Sequence, residues 1–147
     1  MVKDFILASG SPQRKLLLEQ IDMVPAIIEP ADIDETPFKN EKASAYVKRM
    51  AMEKARHVAK KHKGKVVLAC DTIIVCGRKI IQKSHSDEEQ KEVMRLISGK
   101  AHKVLSAVCV IDAAGRESMR LNMTKIMMKN MSEQEICEYV ESHEWVG

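Results

Sequence analysis

The chain has 147 residues, 45% hydrophobic and 31% charged, a balance that fits a globular domain with its own core and excludes a disordered or disulfide-stapled chain. Lys and Arg number 24 against 21 Asp and Glu, a net charge of +3, and only 3% of residues are aromatic, so the stacking platform of a single-strand nucleic-acid binder is missing and no nucleic-acid partner is expected. The longest apolar stretch, Val66 to Cys76, is too short to span a bilayer and is broken by Asp71, and the apolar run after Met1-Val2-Lys3-Asp4 is too short for a signal peptide. The expectation is a cytoplasmic protein with no membrane partner. Cys70, Cys76, Cys109 and Cys137 have no zinc-like spacing and read as reduced core thiols, and the five scattered histidines are assigned to no metal.

In chain order, Ile6-Leu7-Ala8 reads as a strand that stops in the polar turn Ser9-Gly10-Ser11 and restarts as a helix from Gln13 to about Gln20. Ser11 suits the N-cap and Pro12 the first helical position, where a missing N–H costs nothing. The free N–H groups, the helix dipole, the Ser9 hydroxyl, Arg14 and Lys15 together suit an anionic oxygen, while an ordinary strand-to-helix junction fits the same local pattern. The helix is expected to bury Leu16, Leu17 and Ile21. Val24 to Glu29 reads as a second strand, and Asp32, Asp34 and Glu35 then gather three carboxylates within four residues, as a solvated turn or as hard ligands for magnesium.

From Ala43 to Lys61 the residues Val47, Met50, Ala51, Ala55 and Val58 recur at helical spacing. Lys54 falls inside that stripe, about 20° from Val47, so its ammonium must snorkel out, the commoner fate, or meet an anion within the fold. Lys48 and Arg49 read as solvated face. Val66 to Val75 reads as a central strand buried on both faces, interrupted by Asp71, a carboxylate that needs a cation, a metal or several donors and so points to function. A turn at Gly77-Arg78 leads to a hairpin partner at Lys79 to Lys83. Ser86 with Glu89 caps a helix that ends at Ser98-Gly99, His102 to Ile111 and Glu117 to Lys129 form an antiparallel pair, and Ser132 with Glu135 caps a last helix. Met123, Met127, Met128 and Met131 read as adaptable core filler.

Taken together, Leu7 to Arg14 with Leu17-Leu18, then Asp32-Ile33-Asp34-Glu35-Thr36-Pro37, Tyr46-Val47 with Glu53-Lys54-Ala55, Cys70-Asp71-Thr72, Lys83, and Leu96 to Val104 resemble, collinearly, the Maf family of nucleoside triphosphate pyrophosphatases, also called septum formation inhibitors. The resemblance implies a single α/β domain over residues 1–147: a mixed, elongated, twisted sheet flanked by helices, two lobes around a cleft, of the Maf/ITPase-like kind. It implies hydrolysis of a nucleoside triphosphate to the monophosphate and pyrophosphate, assisted by Mg2+ or Mn2+. On this resemblance Ser9, Ser11, Gln13 and Arg14 would hold phosphate, Glu35 with Asp71 would bind the metal, Lys54 and Lys83 would neutralise the polyphosphate, and Asp71 would act as general base. Thr72 after the aspartate resembles the branch acting on dTTP and UTP.

Four features depart from the family pattern. Gln13 stands where a second arginine is usual, Cys70 replaces a smaller residue, and Gln82 and Ser84 replace the usual Gly and Pro around Lys83. The family also continues past Val146-Gly147, so the expectation is a C-terminally truncated domain with part of its sheet unpaired. A homodimer is expected, both from the family and because open strand edges attract partners. The alternative is a weak or inactive relative acting as a nucleotide-binding or division-regulating protein.

Overall fold

Val67, Ala69, Asp71, Ile73 and Val75 are buried while the residues between them are less so, a period of two that makes this stretch a strand with one fully covered face. The computed structural model describes residues 4–146. Along the chain it forms β1 (Phe5–Leu7), α1 (Pro12–Glu19), β2 (Ile27–Ile28), α2 (Ala43–Ala59), β3 (Val66–Cys76), β4 (Lys79–Ile81), α3 (Asp87–Ile97), β5 (Ala101–Ile111), β6 (Glu117–Met127) and α4 (Glu133–Glu141). The strands form one mixed six-stranded sheet in the order β2-β1-β3-β5-β6, with β4 also paired to β3. β1 lies parallel to both β2 and β3, and β4 runs antiparallel to β3 through the Gly77-Arg78 turn. The mixed α/β class is therefore as the sequence led one to expect. No helix among the described residues is long and apolar enough to cross a membrane.

The chain divides into two compact units. The first runs through Thr72 and includes Ser106–Asn122; the second holds Ile73–Leu105 and resumes at Met123. In the first, β1 is buried throughout because a parallel strand flanks it on each side, and α2 buries Tyr46, Val47, Met50, Ala51, Ala55 and Val58 as its periodicity dictates. In the second, Met94 and Ile97 of α3 meet Ile136 of α4, with Cys76, Ile81, Met128, Met131 and Tyr139 packed against them. Both helices of this unit start as their caps require: the Ser86 and Ser132 hydroxyls accept from the Glu89 and Glu135 amides, and Glu135 closes a full capping box.

Several expectations about burial are corrected. α1 buries nothing: Leu16, Leu17 and Ile21 are 58%, 60% and 63% exposed. Its apolar residues are consecutive rather than spaced by three and four, and Asp22 at φ 56° turns the chain, so Ile21 never extends a helical face. β2 shrinks to Ile27–Ile28, both exposed on the sheet edge, with only the Ala26 and Glu29 amides reaching Phe5 and Leu7 carbonyls beyond it. The second face of β3 is half-covered, with Thr72 exposed. Of the methionine group, only Met128 and Met131 fill core, while Met123 and Met127 are exposed. All four cysteines are free, although only Cys109 is fully buried.

Gly99, at φ 66°, ends α3 in the left-handed region, and a Cβ there would fall 1.9 Å from Asn130 Oδ1. A Gly99→Ala substitution is expected to cost about 2 kcal/mol from backbone strain and the displaced asparagine together. Urea unfolding measures the loss, and adding Asn130→Ala should restore the steric share alone.

Candidate functional site

The site begins where β1 ends. Ser9 is buried, and its hydroxyl oxygen accepts from Arg14 Nη1 at 2.8 Å and from the Ser11 amide at 3.3 Å, so the guanidinium of the first helical turn folds back onto the strand end. Gly10 keeps this turn against Pro30, whose Cγ would lie 3.1 Å from an added Cβ. Ser11 holds the N-cap position and Pro12 follows it, but the Ser11 hydroxyl donates to Gln13 Oε1 at 3.1 Å instead of capping the helix. The α1 N-terminus thus has no side-chain cap, and its backbone donors suit an anion.

Lys54 does not snorkel. Only 9% exposed, it places its Nζ 2.7 Å from Asp71 Oδ1 and 3.1 Å from Glu35 Oε1. One buried ammonium therefore joins a helix, a central strand and a loop, with burial on this scale tolerable only because two carboxylates meet the charge. Asp71 is 6% exposed. Its burial pushes the carboxyl above the usual aspartate range, Lys54 pulls it back through hydrogen bond and charge, and Glu35 raises it further by repulsion; Arg14 is near enough to lower it slightly. Cys70 lies on the opposite face of β3, as alternation requires, with its thiol pushed up by burial.

Of the three loop carboxylates, Asp34 behaves as a turn residue, accepting from the Thr36 amide at 2.9 Å, while Glu35 alone turns to Lys54. Among the described residues no group of three or more histidines, cysteines and carboxylates gathers. Glu35 and Asp71, which converge on one cationic centre, still fit a magnesium-type ion, because such ions take one or two carboxylates and complete an octahedron with water and phosphate oxygens.

Thr72 projects to the face of β3 opposite Asp71 and shares a 3.1 Å hydroxyl contact with Ser106. Lys83 belongs to the second unit, two residues past β4, where it lines a groove of about 670 Å3 with Ile80, Ser84, His85, Glu89 and Val93. Sequence reading missed Tyr46 and Arg49 as parts of the site's frame. Tyr46 entered the sequence reading only within the family resemblance and Arg49 only as solvated face, yet the Tyr46 hydroxyl donates to the Glu35 carbonyl at 2.6 Å, and the Arg49 side chain is only 14% exposed beneath the same loop. Their positions on the helix were readable; the loop that folds over them was not.

Residues 4–147 match the model of the family described as Maf-like protein. The chain is 42% identical to the dTTP/UTP pyrophosphatase of Caulobacter vibrioides over 97% of its own length and 74% of the relative's. It is 39% identical to the enzyme of the same name from Paramagnetospirillum magneticum, over 97% and 75%. It is 43% identical to the nucleoside triphosphate pyrophosphatase of Ehrlichia canis, over 98% and 75%. Among solved structures, the fold matches a HAM1 protein from Coxiella burnetii with a TM-score of 0.59 and 17% identity, over 86% of this chain and 73% of that one. The Staphylococcus aureus Ham1 protein matches with 0.58 and 14%, over 85% and 71%. A family match along nearly the whole described chain, with relatives near 40% identity covering about three quarters of their own length, leaves one assignment: this chain belongs to the Maf-like protein family.

Proposed function

We propose that this protein is a nucleoside triphosphate pyrophosphatase that hydrolyses dTTP or UTP to the monophosphate and pyrophosphate. The observation that carries the reading is the buried Lys54 ammonium held between Asp71 and Glu35. The names of the relatives support the substrate class.

In this reading water attacks the α-phosphorus, Asp71 takes its proton, and the bond to the β-phosphate oxygen breaks to release pyrophosphate. Burial makes Asp71 a stronger base than an exposed aspartate. Arg14, Ser9 and the uncapped α1 amides receive phosphate oxygens, Ser11 lines the same turn, and Lys54 offsets polyphosphate charge, a role that the family resemblance also gives Lys83. Thr72, through its resemblance to the branch acting on dTTP and UTP, supports that substrate preference. Glu35 and Asp71 would hold a divalent cation, Mg2+ or Mn2+, which when bound would neutralise charge on the reacting phosphates. The activity belongs in the cytoplasm, where nucleotide and Mg2+ meet.

A second reading, nucleotide binding without turnover, is favoured by Gln13, a neutral side chain engaged with Ser11 inside the phosphate turn. One assay separates the two: incubation with dTTP or UTP and Mg2+ should release pyrophosphate, and Asp71→Asn should lower kcat by about 100- to 10,000-fold. Thermal stabilisation by nucleotide with no release above that variant would leave only the binding reading.

The base must be ionised to act, and its pKa is raised, so kcat/KM should fall with decreasing pH at values above the ordinary carboxylate range. Lys54→Met removes the group that lowers the Asp71 pKa, so the carboxyl should titrate higher still, read directly by carboxyl 13C NMR even if turnover is lost. An unchanged titration would show that the ammonium does not act on this carboxylate.

The same reading includes a homodimer, supported by the exposed Leu16, Leu17, Ile21 and Val24 and by the open edge at β2. Light scattering should give twice the chain mass, and Leu16→Gln with Leu17→Gln should shift it toward monomer. A monomeric parent protein would reject the dimer.

A further inference from the structure

Glu35 stands on a stretch without regular structure that runs from β2 to α2, and its carboxylate is 53% exposed. A side chain so placed finds Lys54 reproducibly only if the backbone under it is fixed. The fixing groups lie on one face of α2. The Tyr46 hydroxyl donates to the carbonyl of Glu35 itself at 2.6 Å, and Arg49 Nη2 donates to the carbonyl of Thr36 at 3.1 Å. Tyr46 and Arg49 are three residues apart, neighbours on the helix surface, and the guanidinium lies 5.6 Å from the tyrosine ring centroid.

Arg49 is also clamped from the loop side. Its Nε and Nη2 grip the Glu41 carboxylate at 2.7 and 2.8 Å, Glu41 Oε2 accepts from the Phe38 amide at 3.0 Å, and the Phe38 ring covers the guanidinium at 3.8 Å. Arg49 holds the Glu41 carboxyl at about 2, so the latch stays charged across the pH range in which the protein works. Nη1 reaches Glu53 at 3.3 Å on the same helix. A planar fork, a carbonyl contact and a stacked ring used at once are what arginine offers and lysine does not.

We propose that Arg49 is a positioning residue: with Glu41 and Tyr46 it latches residues 35–41 onto α2 and so aims the Glu35 carboxylate at Lys54 and the phosphate-proximal cation. The inference rests on the pyrophosphatase reading and adds to it a group that touches neither substrate nor metal. A merely structural ion pair would hold the loop at any point. Here Arg49 holds the carbonyl of Thr36, the residue next to Glu35, while Tyr46 holds that of Glu35 itself.

The test uses the full chain and Arg49→Lys, which keeps the charge and the aliphatic stem. Without nucleotide, Mn2+ affinity followed by electron paramagnetic resonance should fall about 10- to 100-fold, matching Glu35→Gln, and kcat with dTTP should fall by a similar factor while KM moves little. In the Glu35→Gln background Arg49→Lys should add almost nothing, because both act through one carboxylate. Tyr46→Phe, which deletes one hydroxyl, serves as the second probe and should reproduce the effect in smaller measure if Arg49→Lys fails to fold. Unchanged Mn2+ affinity and kcat in a folded variant would overturn the inference, as would a lowered Tm with both unchanged or full additivity with Glu35→Gln. A parent protein that neither binds Mn2+ nor releases pyrophosphate would instead overturn the underlying reading.

Discussion

The arrangement depends on one buried ammonium. Lys54 sits in the apolar stripe of α2, where an unpaired charge would cost on the order of several kcal/mol, and its two partners come from elsewhere in the chain. This imposes conditions on three elements. β3 must pair in a register that turns its odd-numbered residues toward the covered face, since a slip of one residue would present Cys70 or Thr72 in place of Asp71. The acidic loop must return over α2 far enough for Glu35 to reach Nζ. α2 must keep its own stripe unbroken through Val47, Met50, Ala51, Ala55 and Val58, the buried face on which the lysine stands.

The same network explains why the carboxylate and the cation are not equivalent partners. Asp71 experiences burial, one attractive ammonium and one repulsive carboxylate, and burial prevails, so its proton affinity is raised despite a 2.7 Å salt bridge. Removing the exposed Glu35 would ease that repulsion, while removing Lys54 would leave a buried carboxylate with only distant Arg14 to oppose desolvation. A carboxyl tuned this way depends on where the loop sits, and Arg49 holds that loop at Thr36 and Glu41.

How much of this was legible follows from how local each signal is. The stripe on α2, the apolar run of β3, the Gly77-Arg78 hairpin and the serine caps of α3 and α4 are written within a few residues, and each element appears where the pattern placed it. Burial is not local. Leu16 and Leu17 look like core but are exposed, and the second face of β3 is only half covered, because covering a face requires another element that the segment does not name. Lys54 lies between these cases: its place on the stripe was readable, but its fate depended on Asp71 seventeen residues on and Glu35 nineteen residues back. Arg49 failed for the same reason, since helical phase alone put it toward solvent.

The turn at Ser9 shows how far one neutral residue can alter a site built on charge. Arg14 is folded onto the Ser9 hydroxyl and forms an ion pair with no carboxylate among the described residues, so its charge remains available to a phosphate. Ser11 and Gln13 satisfy one another, which withdraws the hydroxyl from the helix cap and leaves the first amides of α1 unshielded by a side-chain acceptor. Set against Lys54 and Arg14, the carboxylates of Asp71 and Glu35 leave this cluster with no net charge of its own. On the proposed function, a polyanion bound there would draw on oriented amides and the α1 dipole, so orientation takes over from net charge as the source of affinity.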